Sequence, residues 1–504
     1  MPDDPRVRLL GAPDPARAAA VLGILDDTAI TIAVGTEADP SARVAAAAFV
    51  AICTRLFGRV TVAGRTDLPA NWWNVPDVAA LIDHVTTLRT TAPTPPRRHL
   101  RVTVGRADVQ AGDLGIGGSD YLVALGPGLQ PLGGGTHALG VHAAAALAVG
   151  QLLSRVLSPF GYAGVPAVAD YRLDLITHSP TSATHPTSSV DPVQLLDLVI
   201  AGAGSVGSSV LALLATACAP TYTGHAGPPM TVTIIDNDRF DPGRNPFRYP
   251  ALLGGESDLK APWLAAQLTR AGLSVTSSAT TVGAWVTQQP TPGIHGLLVS
   301  SVDTLTGRLE VADVLAEQTL SIGVSGLALH AQRERFGGDR ACPFCDYVSA
   351  APPLTRAEVH AQATGLDVNR VLVLLQPGAV LTDIDVSHAV AAGKIPADRQ
   401  AALVGQRLAD LVRQAYAEAA LPAQSDGTVT VASPHVSWFA GVLGAVEIVK
   451  QLQGLPVLNG RMDADLLGLP PGLIRRMPVD ATGRCICRSG IRQRWYRSMY
   501  GTAQ

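Results

Sequence analysis

Four groups of residues in this chain have types and spacings that can do chemistry. The first is Gly202-Ala-Gly204-Ser-Val-Gly207, which follows the apolar run Leu196 to Ala201 and opens an Ala/Leu-rich stretch ending near Cys218. A G-x-G-x-x-G between strand and helix permits a tight turn, close approach of main chain to phosphate, and close helix–strand packing. The helix amino terminus then offers unpaired N–H groups and a positive dipole end to an anion. In isolation the motif points to NAD or FAD; the bland reading is packing glycines. The second is Asp236, at the end of the next apolar run, Thr231 to Ile235, where a carboxylate can bind ribose hydroxyls. The third follows it: Asp238, Asn245, Arg248, Lys260, Asp303 and Arg308. Two basic residues and an Asn beside a bound nucleotide suit a triphosphate, whose departing pyrophosphate they can stabilise. Asp303, expected at the carboxyl end of a strand, suits Mg²⁺, which prefers oxygen ligands. The fourth is a cysteine quartet, Cys342-Pro-Phe-Cys345 and Cys485-Ile-Cys487. Two such pairs complete a tetrahedral Zn²⁺ site with no open position, so its role would be to pin the tail to the core; the alternative is free or redox thiols.

Each residue also has a bland reading. Arg248 and Arg308 can be solvated surface arginines, Asp303 a helix cap, and Asn245 a turn residue. Their order is what makes the set specific. Gly202/Gly204/Gly207, Asp236, Asn245-x-x-Arg248, Lys260 and Asp303-Thr304-x-x-x-Arg308 together resemble the adenylation core of the ThiF, MoeB and ubiquitin-activating enzyme superfamily, over roughly residues 190 to 490. The resemblance implies that Asp236 binds the ribose and that Arg248 and Lys260 act on the ATP phosphates with Asn245 helping. It further implies that Asp303 ligates Mg²⁺, which makes Arg248, Lys260 and Asp303 the catalytic candidates. Gly202, Gly204, Gly207, Asp236, Asp238, Asn245 and Arg308 become the nucleotide-binding candidates, and the four cysteines a structural Zn²⁺ site. Thr304 departs from the usual Asn, the second cysteine pair is C-x-C, and Ala219 to Met230 is longer than usual. Thioester-forming members of the family carry a cysteine after the zinc knuckle, whereas residues 346 to 484 contain none. The chemistry implied is therefore ATP-dependent adenylation of a C-terminal carboxylate, with the acyl adenylate passed to another nucleophile. The acyl partner would be a small ubiquitin-like protein, a sulfur carrier or a precursor peptide. A catalytically silent scaffold that delivers a peptide to a partner enzyme is the alternative; a nicotinamide-dependent oxidoreductase would leave the later residues unexplained. His435, in Ser-Pro-His-Val-Ser just before a late helix, is a further residue that could approach the site.

The elements that must position these groups follow an α/β plan. Strand and helix signals alternate, which implies a mostly parallel, Rossmann-like sheet covered by helices. The first half repeats the pattern: a strand Thr28 to Val34 ending at Gly35, a helix from about Ala42 to Phe57, and a strand Arg59 to Ala63. Asp120 to Leu125 is matched with Gly296 to Ser301, and the late helix His137 to Leu157 with Ser437 to Leu452. Segments 86–115 and 350–430 are less regular; within the latter, 355–365 and 397–420 are helical and Val371 to Leu375 is strand or buried helix. Pro422 to Gly427 is a loop, and Thr428 to Ala432 a short strand candidate. The Ser/Thr/Pro-rich stretch from Thr177 to Val190 is a linker with no apolar period. The expected domains are residues 1–176, an inactive adenylation-like half; 177–190, the linker; and 191–504, the active ThiF-type domain with its zinc site. The first half lacks the Gly-rich turn, the strand-ending Asp, any Lys and the Asn-x-x-Arg. The family resemblance makes it the inactive half of a pseudo-dimer, with Arg6 or Arg8 as candidates to reach the triphosphate and further homodimerisation open. An unrelated substrate- or leader-peptide-binding domain is the other reading.

Composition bounds these readings. The chain has 504 residues, 47% hydrophobic and 16% charged, enough for large cores and two or three domains. A net charge of −3 gives no sign of a nucleic-acid or anionic-membrane partner. No uninterrupted apolar run reaches the roughly 18–20 residues that span a bilayer, and Met1 to Arg6 has no apolar signal region. Six cysteines are too few for a disulfide scaffold and fit a reducing cytoplasm; Cys53 and Cys218, on apolar helices, read as buried thiols. The chain has three lysines, Lys260, Lys394 and Lys450, so each is worth a question.

Overall fold

The computed structural model describes residues 6, 15–35, 40–87, 95–133, 137–160, 170–182, 196–224, 230–242, 245–253, 257–291, 293–336, 340–348, 356–376, 378–419, 432–470, 472 and 474–501. The chain forms two compact units. One comprises Ala19–Val348 with Ala432–Gln504, the other Met1–Ala18 with Ser349–Val431.

The larger unit holds two mostly parallel sheets. The first contains β1 (Thr28–Val34), β2 (Arg59–Gly64), β3 (Arg98–Val104), β4 (Leu114–Gly118), β5 (Leu122–Pro127), β6 (Tyr171–Asp174) and β7 (Ser179–Pro180), in the order β2-β1-β3-β4-β5-β6-β7. The second contains β8 (Leu196–Ala201), β9 (Met230–Ile235), β10 (Ser274–Ser278), β11 (Ile294–Ser300), β12 (Ala316–Ser325), β13 (Ala328–Glu334), β14 (Gly460–Asp465) and β15 (Ile474–Arg475), in the order β10-β9-β8-β11-β12-β13-β14-β15. In each sheet the strands up to β4 or β12 run parallel and those beyond turn antiparallel. The two orders coincide if β2, β1, β3, β4 and β5 are matched to β9, β8, β11, β12 and β13. Beyond β2, no described residue forms a strand corresponding to β10.

That match corrects one expected correspondence. Asp120 to Leu125 lies at and within β5, an antiparallel strand, and takes the place of β13. The counterpart of β11 is β3, in the segment read as irregular. Its sequence, Arg-His-Leu-Arg-Val-Thr-Val, is exposed at its first two residues and buried at its last three. The charged start masks the apolar end, and a buried apolar run alone does not say which neighbour a strand pairs with.

The two sheets share one interior. The helices Leu139–Leu157 and Pro434–Leu452 are mostly apolar and buried at every residue but Arg155 and Gln451, which marks helices of a core, and they pack on each other. The first is long and apolar enough to cross a membrane by length and composition, yet 94% of its apolar window is buried in the protein. Pro434–Leu452 also lies along the helix Ser205–Cys218. A Cβ on Gly441 would sit 2.5 Å from the Cβ of Ser209, so glycine sets that close approach. The Ser/Thr/Pro-rich stretch enters the fold at its start. Ser179–Pro180 pairs with β6, and His178 is buried with Nε2 2.8 Å from Glu447 Oε1. Residues 183–190 lie outside the described set.

The smaller unit is helical, with Arg356–Thr364, Val368–Leu374, Asp383–Ala391 and Leu408–Ala419 around a core that includes Leu366, Val371, Val386 and Leu411. The run Val371 to Leu375 is thus mainly helix. Arg370 pairs both Asp385 oxygens at 2.7 Å, and this pairing holds the Asp385 carboxyl down at about 2. The loop Pro422 to Gly427 and all but the last residue of the strand candidate Thr428 to Ala432 lie outside the described residues.

Candidate active site

The candidate site lies where the second sheet reverses its order, between β8 and β11 at their carboxyl ends. In an open parallel sheet this is the crevice that takes ligands. The three glycines there serve three purposes. Gly202 has φ +92°, and a Cβ on it would meet the Ser301 and Val302 backbone at 3.1 Å. A Cβ on Gly207 would lie 2.0 Å from Gly202 O, so only glycine lets the helix seat on the turn. Gly204 is the residue before the helix Ser205–Cys218; a Cβ there would meet nothing closer than the Tyr249 hydroxyl at 3.7 Å. The helix amino terminus therefore opens onto space rather than onto protein.

Asp236 leaves β9 and binds the turn directly. Its Oδ2 accepts Ala203 N–H at 2.6 Å and its Oδ1 accepts Asp238 N–H at 2.8 Å. Burial pushes its carboxyl up, against the opposing pull of Lys260 and of those two N–H groups. Lys260 begins the helix Lys260–Arg270, and its Nζ donates to Asp238 Oδ2 at 2.8 Å. Its side chain is 9% exposed while that of Asp238 is 67% exposed, so the buried ammonium is held by a carboxylate that faces solvent. Burial favours the neutral amine, but Tyr249, Asp236 and Asp238 outweigh it and hold the ammonium above its ordinary value.

Asn245 and Arg248 sit on the short helical turn Asn245–Arg248. Asn245 is buried and its Oδ1 accepts Asp241 N–H at 2.9 Å, so its carbonyl end closes the loop. Arg248 O accepts the Ser205 hydroxyl at 2.6 Å, which ties this turn to the start of the Ser205–Cys218 helix. Arg248 Nε is buried with no hydrogen-bond partner among the described residues. Asp303 follows β11 with its side chain exposed. The helix cap is its neighbour: Thr304 Oγ1 accepts Gly307 N–H at 3.1 Å. The capping alternative for Asp303 therefore belongs to Thr304, and the carboxylate is left available.

Tyr249, which sequence reasoning missed, is buried with its hydroxyl facing Gly204. Burial pushes its hydroxyl up, the charges of Lys260 and Arg248 pull it down, and those of Asp236 and Asp303 push it up again. Its adjacency to Arg248 was the available signal. Arg308 is turned to a different partner. One guanidinium nitrogen donates to the Tyr347 hydroxyl, and its Cζ lies 4.7 Å from the centre of that ring. The same hydroxyl is 3.0 Å from His330 Nε2, and burial, reinforced by Arg461 and Arg308, pulls that imidazole down to about 4. His435 takes the reading of a satisfied histidine rather than that of a site residue. It is fully buried, hydrogen-bonded through Nδ1 to the Ser433 hydroxyl at 2.9 Å and packed toward Gly150, and burial pulls it down to about 3. Arg6 belongs to the smaller unit, and Arg8 lies outside the described residues.

The four cysteines come together in the core beside Ala341 and Phe344. Sγ separations are 3.7 Å for Cys342–Cys485, 3.8 Å for Cys342–Cys345 and 3.6 Å for Cys345–Cys487, and all four sulfurs lie within 4.8 Å of one another. Four thiolates about 2.3 Å from a tetrahedral Zn²⁺ stand about 3.8 Å apart. The donor set and spacing therefore fit zinc, and the 3₁₀ turn Ile486–Arg488 folds the C-x-C pair into place. Cys53 and Cys218 are buried, and burial pushes the Cys218 thiol up to about 12.

The fold is thus a mixed α/β architecture with two mostly parallel sheets, and the candidate site occupies the second. No family model and no curated protein sequence matches the chain. Among solved structures it is similar to the crystal structure of E. coli MccB, at 14% identity and a TM-score of 0.34, over 58% of this chain and 65% of that one. The chain thus covers just under two thirds of that structure's length. It is similar to the same degree of identity, 14%, to the microcin C7 biosynthetic enzyme MccB in complex with N-formylated MccA, with a TM-score of 0.34 over 58% and 67% of the two chains. For E. coli MccB with ATP the identity is 14% and the TM-score 0.32, over 58% and 66%.

Proposed function

We propose that the chain is an ATP-dependent adenylyltransferase that activates the C-terminal carboxylate of a peptide or small protein. The observation that carries this reading is the hydrogen-bonded set at the Gly-rich turn, in which Asp236 binds Ala203 and Asp238, Asp238 holds Lys260 and Ser205 ties the Arg248 turn to the helix, in front of an open helix amino terminus. Two cations beside two carboxylates suit a triphosphate and its magnesium; a dinucleotide needs only the turn and Asp236. In this reading Asp236 takes the ribose hydroxyls and the helix N–H groups meet the phosphates. Asp303 would hold Mg²⁺, which keeps most of its waters and needs few protein carboxylates. A carboxylate oxygen of the acyl substrate forms a bond to the α-phosphorus. The bond from that phosphorus to the β-bridging oxygen breaks, and pyrophosphate leaves with the electron pair. Lys260 and Arg248 neutralise the charge that builds on the phosphate oxygens. Lys260 must exchange Asp238 for phosphate as ATP enters.

The same proposal covers the rest of the chain. Residues 1–176 are read as a degenerate copy of residues 191–504, supported by the shared strand order and by the absence of a strand-ending Asp after β2. The cysteine quartet is read as a structural zinc site.

The test is ATP–pyrophosphate exchange with Mg²⁺ and candidate peptides or small proteins bearing free carboxyl termini. Exchange that depends on one candidate, and that falls at least a hundredfold in Lys260→Ala, is the expected result. ATP binding without exchange for any candidate would favour a delivery scaffold. Failure to bind ATP at all would overturn the reading.

A further inference from the structure

The segment that carries Asn245, Arg248 and Tyr249 is buried for most of its length but contains a single turn of helix, so its carbonyls must find partners outside regular structure. Tyr249 N–H donates to Asn245 O and Leu252 N–H to Tyr249 O within the segment, and the Ser205 hydroxyl donates to Arg248 O; the donors to the carbonyls of Pro246, Pro250, Ala251 and Leu252 are side chains of the amino-terminal half. Arg55 Nε donates to Pro246 O at 2.7 Å, and another of its nitrogens donates to Leu252 O. Trp73 Nε1 donates to Pro250 O at 2.9 Å, and Trp72 Nε1 to Ala251 O at 2.8 Å. Four carbonyls within seven residues are thus held by three side chains that lie some 170 or more positions earlier.

The donors are themselves fixed. Arg55 is 1% exposed, and its third nitrogen is tied back to Ala51 O on the helix Pro40–Cys53. Trp73 stacks on Trp438 of the helix Pro434–Leu452, with ring centres 5.7 Å apart. Other side-chain bonds between the halves, such as Tyr121 to Gln453 and Tyr171 to Pro470 O, lie elsewhere on the interface, but these four fall together on the stretch that carries Arg248, whose Nε is buried with no hydrogen-bond partner among the described residues.

We infer that the amino-terminal half serves the site as a clamp: Arg55, Trp72 and Trp73 are positioning residues that hold main chain 246–252 and thereby set Arg248 against the phosphates. The identity of the ligand rests on the proposed adenylylation; the clamp itself does not. None of the three touches the nucleotide. They act through the direction of the Arg248 side chain, so they bear on the phosphates and not on the adenosine.

The experiment uses the full chain with Trp72→Phe, Trp73→Phe and the double variant. Phe keeps the ring and loses the N–H, and a carbonyl buried without its donor is costly enough to open the segment locally. Two readouts are taken: deuterium uptake at the Tyr249 and Leu252 amides without ligand, and calorimetric binding of ATP and of adenosine, both with Mg²⁺. The expected result is about tenfold faster exchange confined to 245–252, with ATP binding weakened about tenfold and adenosine binding unchanged. Unchanged exchange there overturns the clamp, as does parallel weakening of ATP and adenosine together with exchange that rises throughout the chain. If the unaltered protein binds no ATP while the localised exchange effect persists, the clamp stands and the adenylylation reading falls. If the double variant does not fold, Trp73→Phe alone carries the same comparison.

Discussion

Gly204 and Gly207 stand three residues apart on the same turn, yet substitution should separate their roles. Alanine at Gly207 would drive a methyl to 2.0 Å from Gly202 O. The expected cost is about 1–3 kcal/mol, as in overpacked cores, seen as a lower melting temperature with or without ligand. Alanine at Gly204 meets nothing within 3.7 Å, and its backbone, at φ −71° and ψ −161°, is one any residue adopts. The Gly204→Ala protein should therefore melt like the unaltered one but bind ATP at least tenfold more weakly, because the methyl fills the space in front of the helix. Equal ATP affinity would show that the phosphates do not pass there. At this scale much of the site was legible. The order of glycines, Asp236 and Lys260 marked them as neighbours, and hydrogen bonds through Ala203 and Asp238 bring them together. Arg55, Trp72 and Trp73 were not legible, since bonds to main-chain carbonyls leave no partner residue in the sequence to match. The adjacent tryptophans, in a chain with six, were the one available sign.

Among the elements, the cysteine knuckle joins two chain segments that nothing local would bring together. Cys345 N–H bonds Cys342 O at 3.1 Å and Cys485 N–H bonds the Asp480 carboxylate at 2.8 Å, so each pair is shaped by its own loop. A metal would add the cross-link between them. Elemental analysis should find one zinc per chain, and Cys487→Ser should lose it together with several degrees of melting temperature. A protein that folds metal-free with the same melting temperature would sink the zinc reading. The strands around the site were read almost to the residue: β8 was expected at Leu196 to Ala201 and is found at Leu196–Ala201. Parallel strands buried on both faces are apolar runs and declare themselves. β3 escaped because its exposed start carries Arg98, His99 and Arg101, and β4, Leu-Gly-Ile-Gly-Gly, because glycine reads as turn.

At the scale of the whole molecule, a buried ionic group joins the end of the first sheet to the core of the second. Glu447 accepts from His178 Nε2 at 2.8 Å, Lys450 Nζ at 2.6 Å and Leu458 N–H at 2.6 Å, and Lys450 also donates to Ile176 O at 2.8 Å. Burial pushes the Glu447 carboxyl up, but His178 and Lys450 prevail and hold it down at about 2, against an ordinary 4.5. A lowered carboxyl pKa stabilises the fold above the unfolded value, and that contribution is lost as pH falls from about 4.5 to about 2. Melting temperature should drop through that window. Glu447→Gln should cost about 3–5 kcal/mol near neutrality by leaving a buried cation unpaired, and should flatten the acid limb. An unaltered acid limb in that variant would place the sensitivity elsewhere.

The shared interior also has a consequence for biosynthesis. The helix Leu139–Leu157 is mostly apolar and buried almost throughout, and one of the helices that cover it, Pro434–Leu452, leaves the ribosome nearly 280 residues later. At roughly 5–20 residues per second, that is about 15–55 seconds in which the face destined for Pro434–Leu452 stays open, while Pro40–Cys53, β4 and β5 of the same half already pack on the others. The first half can pack around three sides of this helix during its own translation, and the open face is the part that chaperones or provisional contacts would shield until Pro434–Leu452 arrives.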